Sequence, residues 1–173
     1  MNIERIKKSI RNVPNFPKPG IQFKDITTLL QNNNAFGETI DYFYKTFKNK
    51  NIDVIVGIES RGFIFAAPLS LKLDCKFALA RKPGKLPSAT ISEKYELEYG
   101  TDAIEMHKDA INDGDNVLIV DDLLATGGTA KATGSLVKRL RGNIVSYAFV
   151  IELVELNGAD LLNTKPVFSI VKY

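Results

Sequence analysis

The sequence has no tryptophan and a single cysteine, Cys75, so an internal disulfide is excluded. A lone thiol suits a reducing compartment, and we expect a cytoplasmic protein in which Cys75 packs as an inert side chain. An excess of one charge is also missing, because 23 Lys and Arg residues against 20 Asp and Glu residues leave a formal net charge of +3. That charge is too small to indicate a nucleic-acid partner and is compatible with a small anionic substrate.

Long apolar runs are absent as well. No stretch approaches membrane-spanning length, and the N-terminal residues, with Glu4 among basic side chains, lack the apolar core of a signal peptide. We therefore expect no membrane partner. The 173 residues are 45% hydrophobic and 25% charged, which are ordinary values for one globular domain spanning 1–173.

The remaining pattern alternates strands with helices. Continuous apolar runs predict five buried strands, at 52–58, 76–80, 117–120, 144–151 and 167–171. Apolar residues at helical spacing predict four helices, at 3–10, 36–47, 63–73 and 133–140. We expect Pro68 to delay or kink the third of these helices. This order predicts an α/β fold with a central, mostly parallel sheet flanked by helices.

The most informative stretch covers residues 117–129. Asp121 and Asp122 follow a buried strand, where their oxygens can accept hydrogen bonds from two sugar hydroxyls or face a magnesium ion. The glycine-threonine turn at 126–129 then opens a helix, whose unpaired N–H groups and dipole favour a phosphate. Either part alone is usually just a strand end or a loop, but in this order they indicate a cradle for ribose 5-phosphate.

This stretch resembles the phosphoribosyl-pyrophosphate motif of the type I phosphoribosyltransferase family, in the version found in its adenine phosphoribosyltransferases. The resemblance implies a small N-terminal hood at about 1–34 and a flexible flap at about 81–109. Residues 81–109 have no clear period of their own and are long for a structureless connection, which also favours a working flap. The implied reaction joins adenine to phosphoribosyl pyrophosphate with Mg²⁺, giving AMP and pyrophosphate, and the implied assembly is a homodimer.

Two further segments have cations or glycine near the same sheet edge. Segment 59–63 follows the 52–58 strand, so its backbone emerges beside Asp121. By itself it is typical of an exposed turn, but it resembles the family's pyrophosphate loop, which implies a cis peptide between Glu59 and Ser60. Segment 81–87 is rich in charge, usually a sign of a solvated face. The resemblance assigns its Arg81 and Lys85 to pyrophosphate, in this chain's site or a neighbouring subunit's.

The flap and the hood supply the expected base site. Segment 95–100 resembles the family's flap motif, which implies that Glu98 carries the proton on the purine, with Tyr99 beside it; without the resemblance this would be a polar loop. Segment 16–27 resembles the hood, which implies that Phe23 stacks on the base while the backbone near Gln22 reads its edge. On sequence alone, a place for Phe23 in the hydrophobic core is equally compatible.

The resemblance thus implies a full set of site residues. Catalysis is assigned to Glu98 and Arg61. Phosphoribosyl pyrophosphate is assigned to Glu59, Ser60, Arg61, Arg81, Lys85, Tyr99, Asp121, Asp122, Ala125, Thr126, Gly127, Gly128 and Thr129. Adenine is assigned to Gln22, Phe23, Arg61, Leu123 and Ala125. Magnesium is expected to be held mainly by substrate oxygens, with Asp121 or Asp122 as the protein's contribution.

Two alternatives stay open at this point. One is a phosphoribosyltransferase for hypoxanthine, guanine or xanthine; in those relatives an aspartate that handles the N7 proton typically stands where this chain has Ala125. The other is a non-catalytic regulator that senses phosphoribosyl pyrophosphate. Such regulators carry an added nucleic-acid-binding domain, for which this chain has neither spare length nor a basic recognition helix.

Overall fold

Five parallel strands form the centre of the protein, whose structure is a computed structural model describing residues 2–96 and 100–173. In chain order the elements are α1 (Ile3–Ser9), β1 (Arg11–Pro14), β2 (Gln22–Asp25), α2 (Thr27–Gln31), α3 (Asn33–Phe47), β3 (Val54–Ile58), α4 (Gly62–Leu73), β4 (Lys76–Ala80), β5 (Thr90–Glu96), β6 (Thr101–His107), β7 (Asn116–Leu124), α5 (Gly128–Arg139), β8 (Asn143–Glu152) and β9 (Val167–Lys172). Two 3₁₀ turns, Val154–Leu156 and Asp160–Leu162, join β8 to β9.

The five predicted strands are confirmed as one parallel sheet in the order β4-β3-β7-β8-β9. β7 differs from its predicted bounds, because it continues past Val120 to Leu124. Its extension pairs with β8, in register from Asp121 opposite Phe149 to Leu124 opposite Glu152. Asp121 and Asp122 therefore lie within a strand.

Each face of the sheet is covered by its own hydrophobic cluster. Helices α1 to α4 pack on one face, with Phe43 and Phe65 fully buried. On the other face α5 packs with β6, whose Ile104 and Met106 are also fully buried. The doubly covered sheet confirms the α/β fold class, and it leaves the carboxyl ends of the strands as the place where ligands can bind.

The segment expected to be a flexible flap contains an antiparallel hairpin, β5 paired with β6. Alternate residues of β6 are buried, as expected for a strand with one face on the core. The sequence did not predict these strands, because their short apolar alternation stands among many charges. Arg81, which precedes the hairpin, forms a bridge with Glu105 in β6 and so ties the segment to the end of β4.

Helix α4 starts at Gly62, one residue before the predicted start, and it runs through Pro68 to Leu73. The expectation of a late start was therefore wrong. Proline has no N–H, so the carbonyl of Ile64 lacks its usual helical partner. Ile64 is 36% exposed, which leaves that carbonyl within reach of water.

The N-terminal region contains a second hairpin that the sequence did not predict, β1 paired with β2. Asp25, the last residue of β2, accepts hydrogen bonds from the backbone N–H of Thr27 at 2.8 Å and from Nε of Arg11 at 3.0 Å. These contacts join the hairpin to the start of α2. Among the helices of the described ranges, none is long and apolar enough to cross a membrane.

Candidate active site

Two adjoining cavities open at the carboxyl edge of the sheet. The larger, about 290 Å³, is lined by Glu59, Ser60, Arg61, Asp121, Asp122 and Leu123. The smaller, about 90 Å³, is lined by Asp121, Leu123, Leu124, Ala125, Thr126, Gly127, Gly128, Thr129, Ala130 and Phe149. Because Asp121 and Leu123 line both, the structure joins the segments after β3 and β7 into one site, as the sequence predicted.

The smaller cavity is formed by the turn at residues 125–129, which we call the phosphate turn. Gly127 is the N-cap of α5 and has a φ of +84°, a left-handed conformation that glycine adopts without strain. Helix α5 follows at once, so the first N–H groups of the helix, which have no partner within it, lie at this turn. The arrangement can hold an anionic oxygen group by backbone donors and the helix dipole.

Asp121 and Asp122 are neighbouring carboxylates in β7, and both line the larger cavity. Asp122 is 3% exposed, and its Oδ2 lies 2.8 Å from Nε of Arg61. Oδ1 of Asp121 accepts the backbone N–H of Asp122 at 2.8 Å. Burial and the neighbouring charge of Asp122 raise the pKa of Asp121 well above its ordinary value. Burial also raises the pKa of Asp122, although Arg61 opposes this effect.

The segment after β3 lies directly against Asp121, and a glycine makes this possible. A Cβ on Gly62 would stand 2.7 Å from the carbonyl oxygen of Val120 and 2.9 Å from Oδ1 of Asp121. Glu59 and Ser60 are joined by a cis peptide bond, which confirms the expectation for this position. The start of α4 therefore shares one compact site with the middle of β7.

The cationic side chains assigned to pyrophosphate are placed differently from one another. Arg61 lines the larger cavity, with 44% of its side chain exposed. Arg81 instead pairs with Glu59, Nε to Oε2 at 3.2 Å, and its Nη1 donates to the carbonyl oxygen of Lys85 at 3.0 Å. Neither Arg81 nor Lys85 is among the described residues that line the larger cavity.

Glu59 holds the end of β4 beside the site. Its Oε2 accepts the backbone N–H of Lys82 at 2.8 Å in addition to the guanidinium of Arg81. Burial acts to raise the pKa of Glu59, but these two donors bring it below its ordinary value. Glu59 is thus a charged anchor for the loop after β4, a role that the sequence did not indicate.

The hood brings two aromatic side chains to the site. Cζ of Arg61 lies 5.6 Å from the ring centroid of Phe23, and Phe16 packs edge-on against Phe23 at 5.2 Å. Phe23 is half-buried and belongs to neither core cluster of the described residues. Gln22 is exposed, and its Oε1 accepts a hydrogen bond from Asn12 at 2.7 Å. Sequence reasoning missed Phe16, whose only signal was its position in the hood motif.

The β5–β6 hairpin contacts the phosphate turn through Tyr95, another residue that the sequence did not single out. A Cβ on Gly128 would stand 3.4 Å from Cδ2 of Tyr95, and the Tyr95 hydroxyl donates to Oδ2 of Asp102 at 3.4 Å. Nζ of Lys82 lies 3.2 Å from the same carboxylate oxygen. Glu98 and Tyr99, the predicted proton carrier and its neighbour, lie outside the described residues.

Comparisons with known proteins agree with this geometry. Residues 25–171 match the phosphoribosyl transferase domain family. The adenine phosphoribosyltransferase of Chloroflexus aurantiacus is 51% identical over 173 residues, covering 100% of both chains, and that of Haemophilus influenzae is 56% identical over 161 residues, covering 93% of this chain and 89% of the relative. This chain belongs to the adenine phosphoribosyltransferase family.

Solved structures of the family have the same fold. The adenine phosphoribosyltransferase of Thermoanaerobacter pseudethanolicus superposes with a TM-score of 0.96 at 48% identity, covering 99% of this chain and 100% of that one. The Saccharomyces cerevisiae enzyme, solved with an imino-altritol bisphosphate and adenine, gives a TM-score of 0.93 at 44% identity, with 98% of each chain covered. These likenesses confirm the fold of the type I phosphoribosyltransferases for this chain.

Proposed function

We propose that this protein transfers the 5-phosphoribosyl group from phosphoribosyl pyrophosphate to adenine, giving AMP and pyrophosphate. The observation that carries the proposal is the position of Asp121, which lines both the cavity of the phosphate turn and the cavity beside the segment after β3. A ribose ring between the two cavities places its 5′-phosphate in the smaller one and its pyrophosphate in the larger one. The family to which the chain belongs supports the same reaction.

Asp121 and Asp122 accept the ribose hydroxyls, and the phosphate turn fixes the 5′-phosphate. Held at both points, the ribose places its anomeric carbon in line with the attacking base and the leaving pyrophosphate. This fixed orientation lowers the entropic cost of bringing the reacting atoms together. The raised pKa values of this pair bear on the proposal, because a substrate hydroxyl that donates to the carboxylate favours its charged form.

The leaving pyrophosphate needs positive charge. Arg61 supplies it within the larger cavity, and Arg81 and Lys85 supply it from the loop after β4, in this site or a neighbouring subunit's. The described residues include no group of three or more His, Cys, Asp or Glu side chains placed to hold a metal, which suits an ion held mainly by substrate oxygens with Asp121 or Asp122. When bound, Mg²⁺ neutralises charge on the departing group.

The base site combines the hood with the strand end. Phe23 offers a ring face for stacking, while Gln22 reads the base edge through its backbone and Leu123 and Ala125 form the apolar floor. Glu98 exchanges the N7 proton as general acid and base, with Tyr99 beside it. The flap closes over the substrates and excludes the water that would otherwise capture the ribosyl cation.

We further propose that the working unit is a homodimer in the cytoplasm. Three large apolar side chains of α4 and β4 are exposed, with Ile64 at 36%, Leu71 at 84% and Phe77 at 36%. Exposed large apolar side chains favour association, and β4 leads directly into the loop that carries Arg81 and Lys85. A partner docked on this face lies close to these cations, which fits a role for them across a subunit boundary.

A turnover screen of adenine, hypoxanthine and guanine with phosphoribosyl pyrophosphate and Mg²⁺ tests the proposal. We expect pyrophosphate release with adenine alone. A 6-oxopurine presents a carbonyl acceptor where adenine presents an amine donor, and such a mismatch of buried groups discriminates by ~10⁴-fold. Ala125 also offers no acid or base for N7. Comparable kcat/KM on hypoxanthine supports the 6-oxopurine alternative, and no release with any base supports the regulator.

A further inference from the structure

A loop that no motif singles out lies against the back of the phosphate turn. It comprises residues 153–162, between β8 and β9, and we call it the buttress loop. The backbone N–H of Leu153 donates to the carbonyl oxygen of Leu124 at 2.9 Å, which fixes the start of the loop to the end of β7. Leu162, at its far end, is 2% exposed and packs in the core cluster under α5.

Between these two anchors, Gly158 is buried and contacts the phosphate turn backbone to backbone. A Cβ on Gly158 would stand 2.0 Å from the carbonyl oxygen of Ala125 and 3.0 Å from the backbone nitrogen of Gly127. In the other direction, a Cβ on Gly127 would stand 2.6 Å from the carbonyl oxygen of Gly158. Since every obstacle is a backbone atom, no side-chain rotation can make room for a methyl group at either position.

We infer that Gly158 is a positioning residue for the 5′-phosphate. The buttress loop fills the space behind the phosphate turn, so Ala125 and Gly127 cannot retreat and their neighbouring N–H groups stay directed at the smaller cavity. Anion binding by several backbone donors needs all of them at hydrogen-bonding distance at once. A small displacement of the turn therefore weakens the hold on the phosphate while the carboxylates of β7 and the segment after β3 keep their places.

This inference rests on the proposed role of the phosphate turn, and one set of measurements separates the two. Calorimetry of the full chain with ribose 5-phosphate, and separately with pyrophosphate, gives the affinity at each cavity. We expect Gly158→Ala to weaken ribose 5-phosphate binding by roughly 10²-fold, the loss typical of an ångström-scale misplacement, and pyrophosphate binding by less than threefold. In steady state, KM for phosphoribosyl pyrophosphate rises while KM for adenine is unchanged.

The matched control is Gly37→Ala. Gly37 lies in α3, away from the site, and a Cβ there would meet no atom within 4 Å. We expect this variant to bind both ligands like the wild type. If Gly158→Ala does not fold, Leu162→Ala loosens the buttress loop without inserting an atom at the turn, and we expect it to weaken ribose 5-phosphate binding selectively.

Three results overturn the inference. Unchanged ribose 5-phosphate affinity in a folded Gly158→Ala protein, or in Leu162→Ala where that variant is needed, removes the positioning role and leaves the proposed function intact. An equal loss of affinity for ribose 5-phosphate and pyrophosphate shows that the substitution disturbs the whole fold and not the phosphate turn alone. Failure of the wild type to bind ribose 5-phosphate overturns the proposed function and the positioning role together.

Discussion

Asp121 shows how a residue that we assign to substrate binding can weaken the fold that holds it. Its folded-state pKa lies well above the ordinary 3.8, because burial and Asp122 disfavour the charged form. A raised pKa in the folded state means that the folded protein binds its proton more tightly than the unfolded chain. The stability linked to that proton is fully present at pH values below the ordinary pKa, and it is lost as the pH rises through the folded-state pKa.

Replacing Asp121 with Asn should therefore stabilise the fold at pH 7, with an advantage over the wild type that shrinks as the pH falls toward 3. The amide oxygen can still accept the N–H of Asp122, but its NH₂ opposes a ribose hydroxyl donor. We expect phosphoribosyl pyrophosphate to bind roughly 10- to 100-fold more weakly, the range for a lost hydrogen bond to a charged group. Urea unfolding across pH and calorimetry with Mg²⁺ measure the two effects.

Asp113→Asn is the control for that experiment, because Asp113 is 64% exposed in a surface pair with Arg141 and such pairs contribute little to stability. Unchanged substrate affinity in Asp121→Asn would show that this carboxylate does not hold the ribose. A variant less stable than the wild type at pH 7 would contradict the raised pKa.

Glu98→Gln should lower kcat by roughly 10²- to 10⁴-fold, the usual contribution of one general acid-base group, with much smaller changes in substrate binding. The prediction rests on the resemblance of segment 95–100 to the family's flap motif, in which the position of Glu98 is that of the proton carrier. Glu96→Gln, two residues earlier and exposed at the end of β5, is the control and should retain wild-type turnover. Less than a threefold loss in Glu98→Gln removes it from the proton-transfer role.

At the residue scale, sequence patterns predicted those site residues that follow strands. Asp121 and Arg61 could be paired from the sequence because the carboxyl ends of parallel strands share one edge. Gly158, Phe16 and Tyr95 could not, because their contacts with the site join segments distant in sequence and leave no local pattern. A glycine in a loop carries no sign of what it will pack against.

At the scale of elements, buried parallel strands were predictable and exposed hairpins were not. β3 and β7 are buried on both faces of the sheet, so their sequences are nearly continuous apolar runs. Few other secondary structures produce such a run. In β6 only Ile104 and Met106 are buried, between polar residues that look like a loop. The hood hairpin β1–β2 is shorter still, at four residues a strand, and its exposed positions give no apolar alternation to read.

Asp25 is the ionic link that fastens the hood hairpin to α2, and it should make the fold sensitive to acid. The backbone N–H of Thr27 and then Arg11 lower its pKa to about 2, against the opposing effect of burial. A lowered folded-state pKa gives stability that is present above the ordinary 3.8 and is lost as the pH falls through about 2. After a discount for the exposure of Arg11, the lowered pKa of Asp25 contributes about 1–2 kcal/mol to the free energy of unfolding.

Asp25→Asn should accordingly lower the unfolding free energy by about 1–2 kcal/mol at pH 7, and the difference from the wild type should vanish near pH 2. Chemical unfolding at pH 2, 4 and 7 measures it. Asp41→Asn, which removes a surface pair with Lys72, serves as the control and should change stability little at any pH. If the unfolding free energy of Asp25→Asn stays below that of the wild type by the same amount at every pH, the loss comes from packing and not from the charge.

At the scale of the whole molecule, the exposed apolar side chains of α4 and β4 form the proposed dimer interface. Leu71 is 84% exposed, so a charge there leaves the interior of one chain undisturbed. We expect the wild type to sediment as a dimer and Leu71→Asp to dissociate at micromolar concentration, with loss of activity as Arg81 and Lys85 lose their neighbour. Leu156→Asp, on the exposed surface of the buttress loop at 42%, is the control for a new surface charge.

If Leu71→Asp sediments as a stable dimer, the interface lies on another surface of the protein. Sedimentation as a monomer with full activity would show that each chain completes its own site. The sequence alone predicted a dimer only through resemblance, because Ile64 and Leu71 read there as part of a buried helix, and only the fold shows that they face outward.

The central position of β7 also dictates the order in which a growing chain can fold. Val54 pairs with Val117 across the whole of α4, β4 and the β5–β6 hairpin, so β3 has an open edge until the ribosome has released β7. Non-local pairing of this kind is slow and leaves unpaired strand edges prone to aggregation. A nascent chain stalled near residue 115 would contain the β3–β4 pair but would leave the β7-facing edge of β3 unpaired, and such a fragment should depend on chaperones far more than the finished protein.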